Sequence, residues 1–329
     1  MPLYDFGLST LEQYGLNAKE ASRTRGALLC VTEKGLLILR EFRGSEKKLQ
    51  KQQKVLKSLE ENGFRVDSYL ENREGNLISR DCDDVPYTLQ KWYEGRECDT
   101  KSREDIYTSV RTLAKLHKAL RLPVEEDYVE KSLRDEYLRH NQELRRIRKY
   151  IRKKGPCTEF EKKLLSSMEW FLDKGEEALA MLDKSDYEAL REEALTQGQI
   201  CHGEYTQHNV LMVKGGTAVT NFGHWGYDIQ MADLYCFMRK ILEKYNWDTA
   251  LAGELLRTYH QIKEISPQEW ELLRVQFTYP EKYWKLANYY FSHNKAWISE
   301  KNNEKLSGLI RGKETWETFV SQCFGKYPF

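Results

Sequence analysis

A polar loop followed by a short hairpin restricts the fold of this chain more than any other part of its sequence. The loop runs from His202 to Asn209, and the apolar residues after it are interrupted by a Lys214-Gly215-Gly216 turn. This pattern predicts a β-hairpin that ends at Asn221, in the tripeptide Asn-Phe-Gly. Because the hairpin reverses the chain, we expect Asn209 and Asn221 on one side of a cleft.

The loop and hairpin are similar to the phosphoryl-transfer centre of kinase-like enzymes. There, a His-Gly-Asp loop is followed by Asn and, beyond a hairpin, by Asp-Phe. The loop Asp accepts the proton of the substrate hydroxyl, while the Asn and the second Asp hold Mg²⁺ against the β- and γ-phosphates of ATP. The resemblance therefore implies ATP and Mg²⁺ as ligands of the cleft.

This sequence keeps part of that centre and departs from it at two acidic positions. His202 matches the scaffold of the loop, Asn209 matches a metal ligand, and Asp233 matches a buried Asp that braces the loop. Glu204 stands at the base position and Asn221 at the second metal position. Asn209 and Asn221 are thus the candidate ligands for Mg²⁺ and nucleotide, and the two departures leave binding open.

The order of the predicted elements gives the fold class. Strands are predicted at 26–32, 35–42, 66–70, 77–80 and 87–92, with one helix between Ser45 and Gly63. From Ser102 onward, apolar residues recur at helical spacing, apart from the hairpin at about 199–223. We predict an α+β, protein-kinase-like two-lobed fold of the aminoglycoside-phosphotransferase type. The N-lobe is placed at residues 1–93 and the helical C-lobe, with the hairpin, at 94–329.

A strand cation is expected to hold the nucleotide phosphates in such a fold. The usual Lys is replaced by Arg40, which keeps the charge on a bulkier, planar group. Glu46 and Gln53 on the next helix are alternative partners for Arg40, and the sequence does not choose between them. The first hairpin contains no G-x-G-x-x-G run, so close backbone approach to phosphates is poorly supported.

A more specific resemblance is carried by blocks at 25–27, 43–49, 113–117, 202–211, 218–222, 233–240, 279–286 and 295–298. They resemble the CotS-type spore coat proteins of endospore-forming bacteria, one family within the kinase-like fold. The late aromatic blocks are distinctive of that family rather than of kinases at large. The resemblance implies a role in sporulation, in the cytoplasm of the mother cell and in the spore coat, with coat proteins as partners.

The two altered positions lead to a hypothesis about activity. Asn221 can coordinate Mg²⁺ through its amide oxygen, but it removes one negative charge from a site usually built on carboxylates and phosphates. Glu204 is displaced by about one methylene, and a misplacement of about 1 Å costs on the order of 100-fold in rate. We predict a pseudokinase or very slow kinase that serves coat assembly. The alternative is an active ATP-dependent phosphotransferase acting on a small hydroxyl-bearing molecule or a coat protein.

Charge patterning says little about a nucleic-acid or membrane partner. Lys and Arg total 52 against 51 Asp and Glu, so no global field favours either. Residues 131–154 are strongly basic and form either a solvated helix face or a surface for an anionic partner. The basic run lacks interleaved stacking aromatic residues, which argues against single-stranded nucleic acid, and a nucleic-acid partner is not expected. The aromatic block at 279–297 is interpreted as core, with an exposed interface as the alternative.

The apolar segments and the cysteines indicate the cellular compartment in which the protein is expected. The start of the chain has no signal-peptide pattern, and no apolar run is long enough to span a bilayer, so we expect no membrane insertion. The seven cysteines form no C-x-x-C pair. Reduced thiols in a cytosolic protein are expected, without a zinc site.

Overall fold

The chain folds into two structural units. The computed structural model describes residues 7–24, 26–292 and 300–329, so Arg25 and the 295–298 block lie outside the described residues. The first unit contains the residues up to Leu122 together with Ile200–Gly226, and the second contains Pro123–Gln199 with Tyr227–Phe329. The predicted lobe boundary at residue 93 stays a prediction.

The strands belong mainly to the first unit. They are β1 (Glu20–Thr24), β2 (Ala27–Thr32), β3 (Gly35–Glu41), β4 (Arg65–Val66), β5 (Ser79–Arg80), β6 (Pro86–Lys91), β7 (Gly95–Glu97), β8 (Ile200–Cys201), β9 (Val210–Val213), β10 (Gly216–Val219) and β11 (Gly226–Tyr227). One antiparallel sheet has the order β1-β2-β3-β6-β5. Period-two alternation explains its core, since Leu28, Cys30, Leu37, Leu39 and Leu89 pack in one buried cluster.

A single long helix follows β3, as the sequence predicts. In α1 (Glu46–Glu61), the Ser45 hydroxyl accepts a hydrogen bond from the Lys48 N–H at 3.5 Å and caps the first turn. Gly63 has φ 82°, the left-handed conformation that suits the residue after a helix end. The apolar face of α1 is buried and contacts β4.

The predicted catalytic-loop hairpin is confirmed. Strands β9 and β10 are antiparallel, with Val210 opposite Val219, and they lie in a second sheet of order β4-β10-β9-β7. Strand β10 runs parallel to β4, with Val219 beside Val66. This register brings the residues after β4 next to those after β10, and that juxtaposition builds the candidate site.

Several local predictions differ from the structure, and the strand predicted at 77–80 is shortened to β5. The strand predicted at 66–70 is reduced to β4, because the Gln53 side chain binds both the N–H and the C=O of Tyr69. β1 was not predicted, since all five of its residues are exposed and give no alternation. β7 lies within the segment that the sequence indicates as a linker, and it pairs with β9.

The remaining elements are helices, as expected. They are α2 (Arg103–Ala119) in the first unit and, in the second, α3 (Leu133–Lys154), α4 (Glu159–Lys184), α5 (Tyr187–Thr196), α6 (Met231–Leu242), α7 (Thr249–His260), α8 (Pro267–Thr278), α9 (Glu281–Ser292), α10 (Glu300–Arg311) and α11 (Lys313–Phe324). Thr158 with Glu161 and Ser266 with Glu269 form full capping boxes at the starts of α4 and α8. Within the described residues, no helix is long and apolar enough to cross a membrane.

The aromatic block and the basic helix have clear environments in the second unit. Tyr279, Tyr283 and Tyr290 are buried, which supports the interpretation of this block as core, whereas Tyr289 is half exposed. Trp297 lies outside the described residues. Several cations of α3 are paired with acids on the same or neighbouring helices, including Arg145 with Glu176.

Candidate functional site

The loop histidine, which the sequence analysis predicts to be a scaffold residue, lies buried beside the hairpin. His202 is fully buried, and its Nε2 lies 3.0 Å from the carbonyl oxygen of Thr220. Its Nδ1 lies 3.2 Å from the backbone N–H of Glu204, which donates to it. A carbonyl at one nitrogen and an N–H at the other fit the neutral imidazole with its proton on Nε2. His202 therefore joins the start of the loop to the end of the hairpin.

The loop also requires its glycine. Gly203 has φ 80°, and a Cβ at this position would lie 1.8 Å from the carbonyl oxygen of His224. Two chain segments thus approach so closely that a side chain cannot fit. One residue after Glu204, the buried Tyr205 hydroxyl donates to the carbonyl oxygen of Ser109 at 2.8 Å and fixes the loop on α2.

Glu204, at the base position, lines the cleft. Its side chain is half exposed, and its Oε2 lies 3.8 Å from His224 Nε2. The cleft has a volume of about 380 Å³ and is also lined by Arg40, Lys48 and Asp67. A solvated carboxylate in such a position can accept a proton from a bound hydroxyl.

The two candidate metal ligands bind each other and the strand cation. Arg40 Nη1 donates to Asn221 Oδ1 at 2.6 Å. Asn221 Nδ2 donates to Asn209 Oδ1 at 2.7 Å, and Asn209 Nδ2 donates to the carbonyl oxygen of Glu204 at 2.8 Å. This series of hydrogen bonds, from Arg40 to Asn221 to Asn209 to the loop backbone, is called the amide chain below. It brings together Arg40, Asn209, Asn221 and the backbone of Glu204, and the predicted ligand roles of these residues stay predictions.

Asp67 is a site residue that the sequence analysis missed. It is fully buried just after β4, and its Oδ2 accepts the backbone N–H of Asn221 at 2.8 Å. Its other oxygen, Oδ1, is buried without a hydrogen-bond partner among the described residues. Burial raises the pKa of Asp67 to about 7, against the opposing effects of the Asn221 N–H and the Arg40 charge. A lone Asp within the predicted strand 66–70 was the signal available in the sequence.

The partner of Arg40 is thus neither of the two predicted alternatives. Gln53 is occupied by the backbone of Tyr69, and Glu46 is exposed in the first turn of α1. Arg40 instead binds Asn221, and its guanidinium lies 5.6 Å from the ring centre of Trp92.

The amide chain does not fit a Mg²⁺ ion as it is arranged. Mg²⁺ requires near-octahedral oxygen ligands, and the Oδ1 atoms of Asn209 and Asn221 both accept N–H groups. The Arg40 guanidinium would also repel a dication beside Asn221. Over residues 7–24, 26–292 and 300–329, no group of three or more His, Cys, Asp or Glu side chains is arranged to hold a metal.

Asp233 is buried in the first turn of α6, in the second unit. Its role as a brace of the loop stays a prediction.

Comparisons with known proteins agree with this fold. A family model described as "spore coat putative kinase YutH" matches residues 9–323. Spore coat protein S of Bacillus subtilis (strain 168) is 27% identical over 169 residues, which are 51% of this chain and 48% of that protein. The chain thus matches about half the length of this relative.

Solved structures share the fold at low identity. An aminoglycoside phosphotransferase from Alicyclobacillus acidocaldarius matches with a TM-score of 0.85 at 18% identity, over 98% of this chain and 96% of that one. A spectinomycin phosphotransferase, solved with ADP and its antibiotic, matches with a TM-score of 0.62 at 11% identity, over 99% of both chains. An amicoumacin kinase, solved with AMP-PNP and Ca²⁺, matches with a TM-score of 0.60 at 12% identity, over 96% of this chain and 94% of that one.

These likenesses confirm the predicted kinase-like fold. The family match spans almost the whole chain and confirms the resemblance to CotS-type spore coat proteins. The chain belongs to the YutH family of kinase-like spore coat proteins.

Proposed function

We propose that this protein is a pseudokinase, or a kinase of very slow turnover, that serves spore coat assembly through protein contacts. The amide chain carries the proposal, because Arg40 and Asn221 donate hydrogen bonds to the oxygens that would otherwise coordinate Mg²⁺. Phosphoryl transfer depends on metal ions that neutralise charge on the β- and γ-phosphates. A cleft whose metal ligands are engaged in this way has lost that contribution.

The rival function, an active phosphotransferase, is favoured by one observation. Glu204 keeps a half-exposed carboxylate in the cleft, where it can act as a base toward a hydroxyl. This rival predicts that turnover depends on Glu204.

A thermal-shift experiment with ATP tests the state of the metal site. Saturation at about 100 times the dissociation constant adds about 2.7 kcal/mol. In a chain of this size, that is a rise of a few degrees in Tm. We expect no Mg²⁺-dependent rise. A Mg²⁺-dependent rise, with phosphoryl transfer at about 1 s⁻¹ that Glu204→Gln abolishes, establishes the rival instead.

A variant designed to restore metal binding tests whether the amide chain is what excludes Mg²⁺ from the cleft. Asn221→Asp combined with Arg40→Lys returns a carboxylate and a compact cation, so we expect a Mg²⁺-dependent rise in Tm to appear. Asn62→Asp adds the same charge at the exposed end of α1 and is the control. If neither protein responds to Mg²⁺, the amide chain is not what excludes the metal.

The role in the coat is tested in sporulating cells. If the protein works through contacts, cells that carry Glu204→Gln should assemble a normal coat, whereas cells that lack the protein should not. A coat defect in both strains supports the rival function.

A further inference from the structure

The second unit contains an aromatic cavity that has no part in the amide chain. It has a volume of about 260 Å³, just below the range of about 300–1,000 Å³ that is usual for small-molecule sites. Aromatic rings from α4, α6, α8 and α11 form much of its wall, among them Phe171, Tyr235, Phe277 and Trp316. Such walls provide flat surfaces for stacking and edge contacts with another ring.

The backbone at one side of the aromatic cavity is strained. Asn246 and Trp247 have φ 48° and 60°, a conformation that side-chain-bearing residues rarely adopt. This turn places the Trp247 ring 6.3 Å from that of Trp316 and 5.2 Å from that of Phe319. Strained residues cluster at binding sites, where the surrounding structure holds them.

The carboxylates that line the aromatic cavity already have cationic partners. Glu243 accepts from Arg239 Nη1 at 2.7 Å and from Lys282 Nζ at 2.8 Å. Glu281 is paired with Lys285 and accepts the Tyr235 hydroxyl at 3.1 Å. A cationic ligand would have to displace these partners.

Among the described residues of the cavity wall, the polar groups still able to bind a ligand are hydrogen-bond donors. Arg239 Nε is buried and has no hydrogen-bond partner in the described part of the chain. It lies 3.7 Å from Glu281 Oε2, which forms an ion pair with the guanidinium but is beyond hydrogen-bond distance of this nitrogen. Lys305 also lines the aromatic cavity and is exposed, so it lies at the solvent edge. An unsatisfied buried donor and an edge cation both select a ligand with an acceptor or negative charge.

We propose that the aromatic cavity binds a small aryl carboxylate, with its ring among the aromatic walls and its carboxylate toward Arg239 and Lys305. The proposal rests on the second unit alone and is independent of the state of the kinase-like cleft.

Calorimetric titration of the full chain with 3-phenylpropionate tests this proposal, with 3-phenylpropylamine as the matched cation. We expect the carboxylate to bind with a dissociation constant of about 1 mM or below, and the amine to bind at least about tenfold more weakly. No binding of the carboxylate at about 10 mM, or equal binding of the amine, overturns the proposal.

Gly308 offers a way to block the aromatic cavity. It lines the cavity, and a Cβ built on it meets no atom within 4 Å among the described residues. Gly308→Leu should fill the space and weaken binding at least about tenfold, whereas Gly308→Ala should retain it. If Gly308→Leu fails to fold, Lys305→Gln decides, with an expected loss of about threefold or more for the carboxylate only. Unchanged binding in the deciding variant places the probe elsewhere and overturns the proposal.

Discussion

Two carboxylates, one in each unit, are fully buried and yet have opposite environments. Glu161 opens α4 and accepts the backbone N–H groups of Cys157 at 2.6 Å and Thr158 at 3.2 Å, together with Lys154 Nζ and the Tyr290 hydroxyl. Burial acts to raise the pKa of Glu161, but these donors outweigh it and hold that pKa at about 2. The ionised form is therefore strongly stabilised.

Asp67 in the cleft accepts far fewer hydrogen bonds than Glu161 does. One oxygen accepts a single backbone N–H, the other has no hydrogen-bond partner among the described residues, and burial raises the pKa to about 7. Natural proteins retain such groups mainly where function depends on them. The comparison indicates that the helical unit uses its buried charge for stability, whereas the cleft tolerates a cost in stability.

The largest expected effect is that of Glu161→Gln. The substitution removes the charge that pairs with Lys154 and places an amide N–H₂ among hydrogen-bond donors, so we expect a loss of about 3 kcal/mol or more in the free energy of unfolding. Urea unfolding at pH 7 measures it. Glu159→Gln, two residues away and exposed, is the control and should leave the urea midpoint nearly unchanged. Equal effects of the two variants would remove the contrast between a satisfied buried carboxylate and a surface one.

Asp67→Asn should raise the free energy of unfolding, whereas Glu161→Gln lowers it, and the gain should depend on pH. The folded pKa of about 7 lies above the usual 3.8, so the folded state binds more protons between these values. Stability contributed by Asp67 therefore falls as pH rises from about 4 to 7. Relative to wild type, we expect Asp67→Asn to be similar at pH 4 and more stable by on the order of 2–4 kcal/mol at pH 8. A difference that does not grow with pH contradicts the raised pKa.

The sequence predicted the local parts of the site and missed the long-range part. The loop motif and the hairpin turn identify Glu204, Asn209 and Asn221, because their spacing along the chain fixes their geometry. Asp67 reaches Asn221 only through the parallel pairing of β4 with β10, about 150 residues apart along the chain. Local periodicity carries no information about such a contact.

The fold, like the site, was predictable where neighbouring residues along the chain determine the structure. The starts of α4 and α8 are determined locally, since Thr158 and Ser266 satisfy backbone donors within their own turns. β1 was missed because it is an exposed edge strand, whose formation depends on its ladder with β2 rather than on its own pattern. Structure that depends on a distant partner was thus harder to predict than structure fixed within a turn.

Two glycines of the cleft provide a similar comparison for the backbone, because one is sterically constrained and the other is not. Gly203→Ala should cost about 2 kcal/mol or more, since the residue has φ 80° and its new Cβ would meet the carbonyl oxygen of His224. Gly223→Ala, in the same cleft, meets no atom within 4 Å among the described residues and should change stability by less than about 1 kcal/mol. Thermal unfolding of both variants measures the difference. Similar losses would mean that the close approach at Gly203 is relieved at little cost.

The smallest expected effect separates a glycine of the aromatic cavity from those of the cleft. Gly308 lies within α10 and has open space where a Cβ would stand, so its lack of a side chain gives the helix no packing advantage. Gly308→Ala should raise the free energy of unfolding by about 0.5–1 kcal/mol, because Ala loses less backbone entropy in a helix. Urea unfolding at pH 7 measures the gain. A gain without loss of aryl carboxylate binding means that one added methyl group still leaves the aromatic cavity open to the ligand. A loss of stability would instead mean that α10 packs more tightly than its open space indicates.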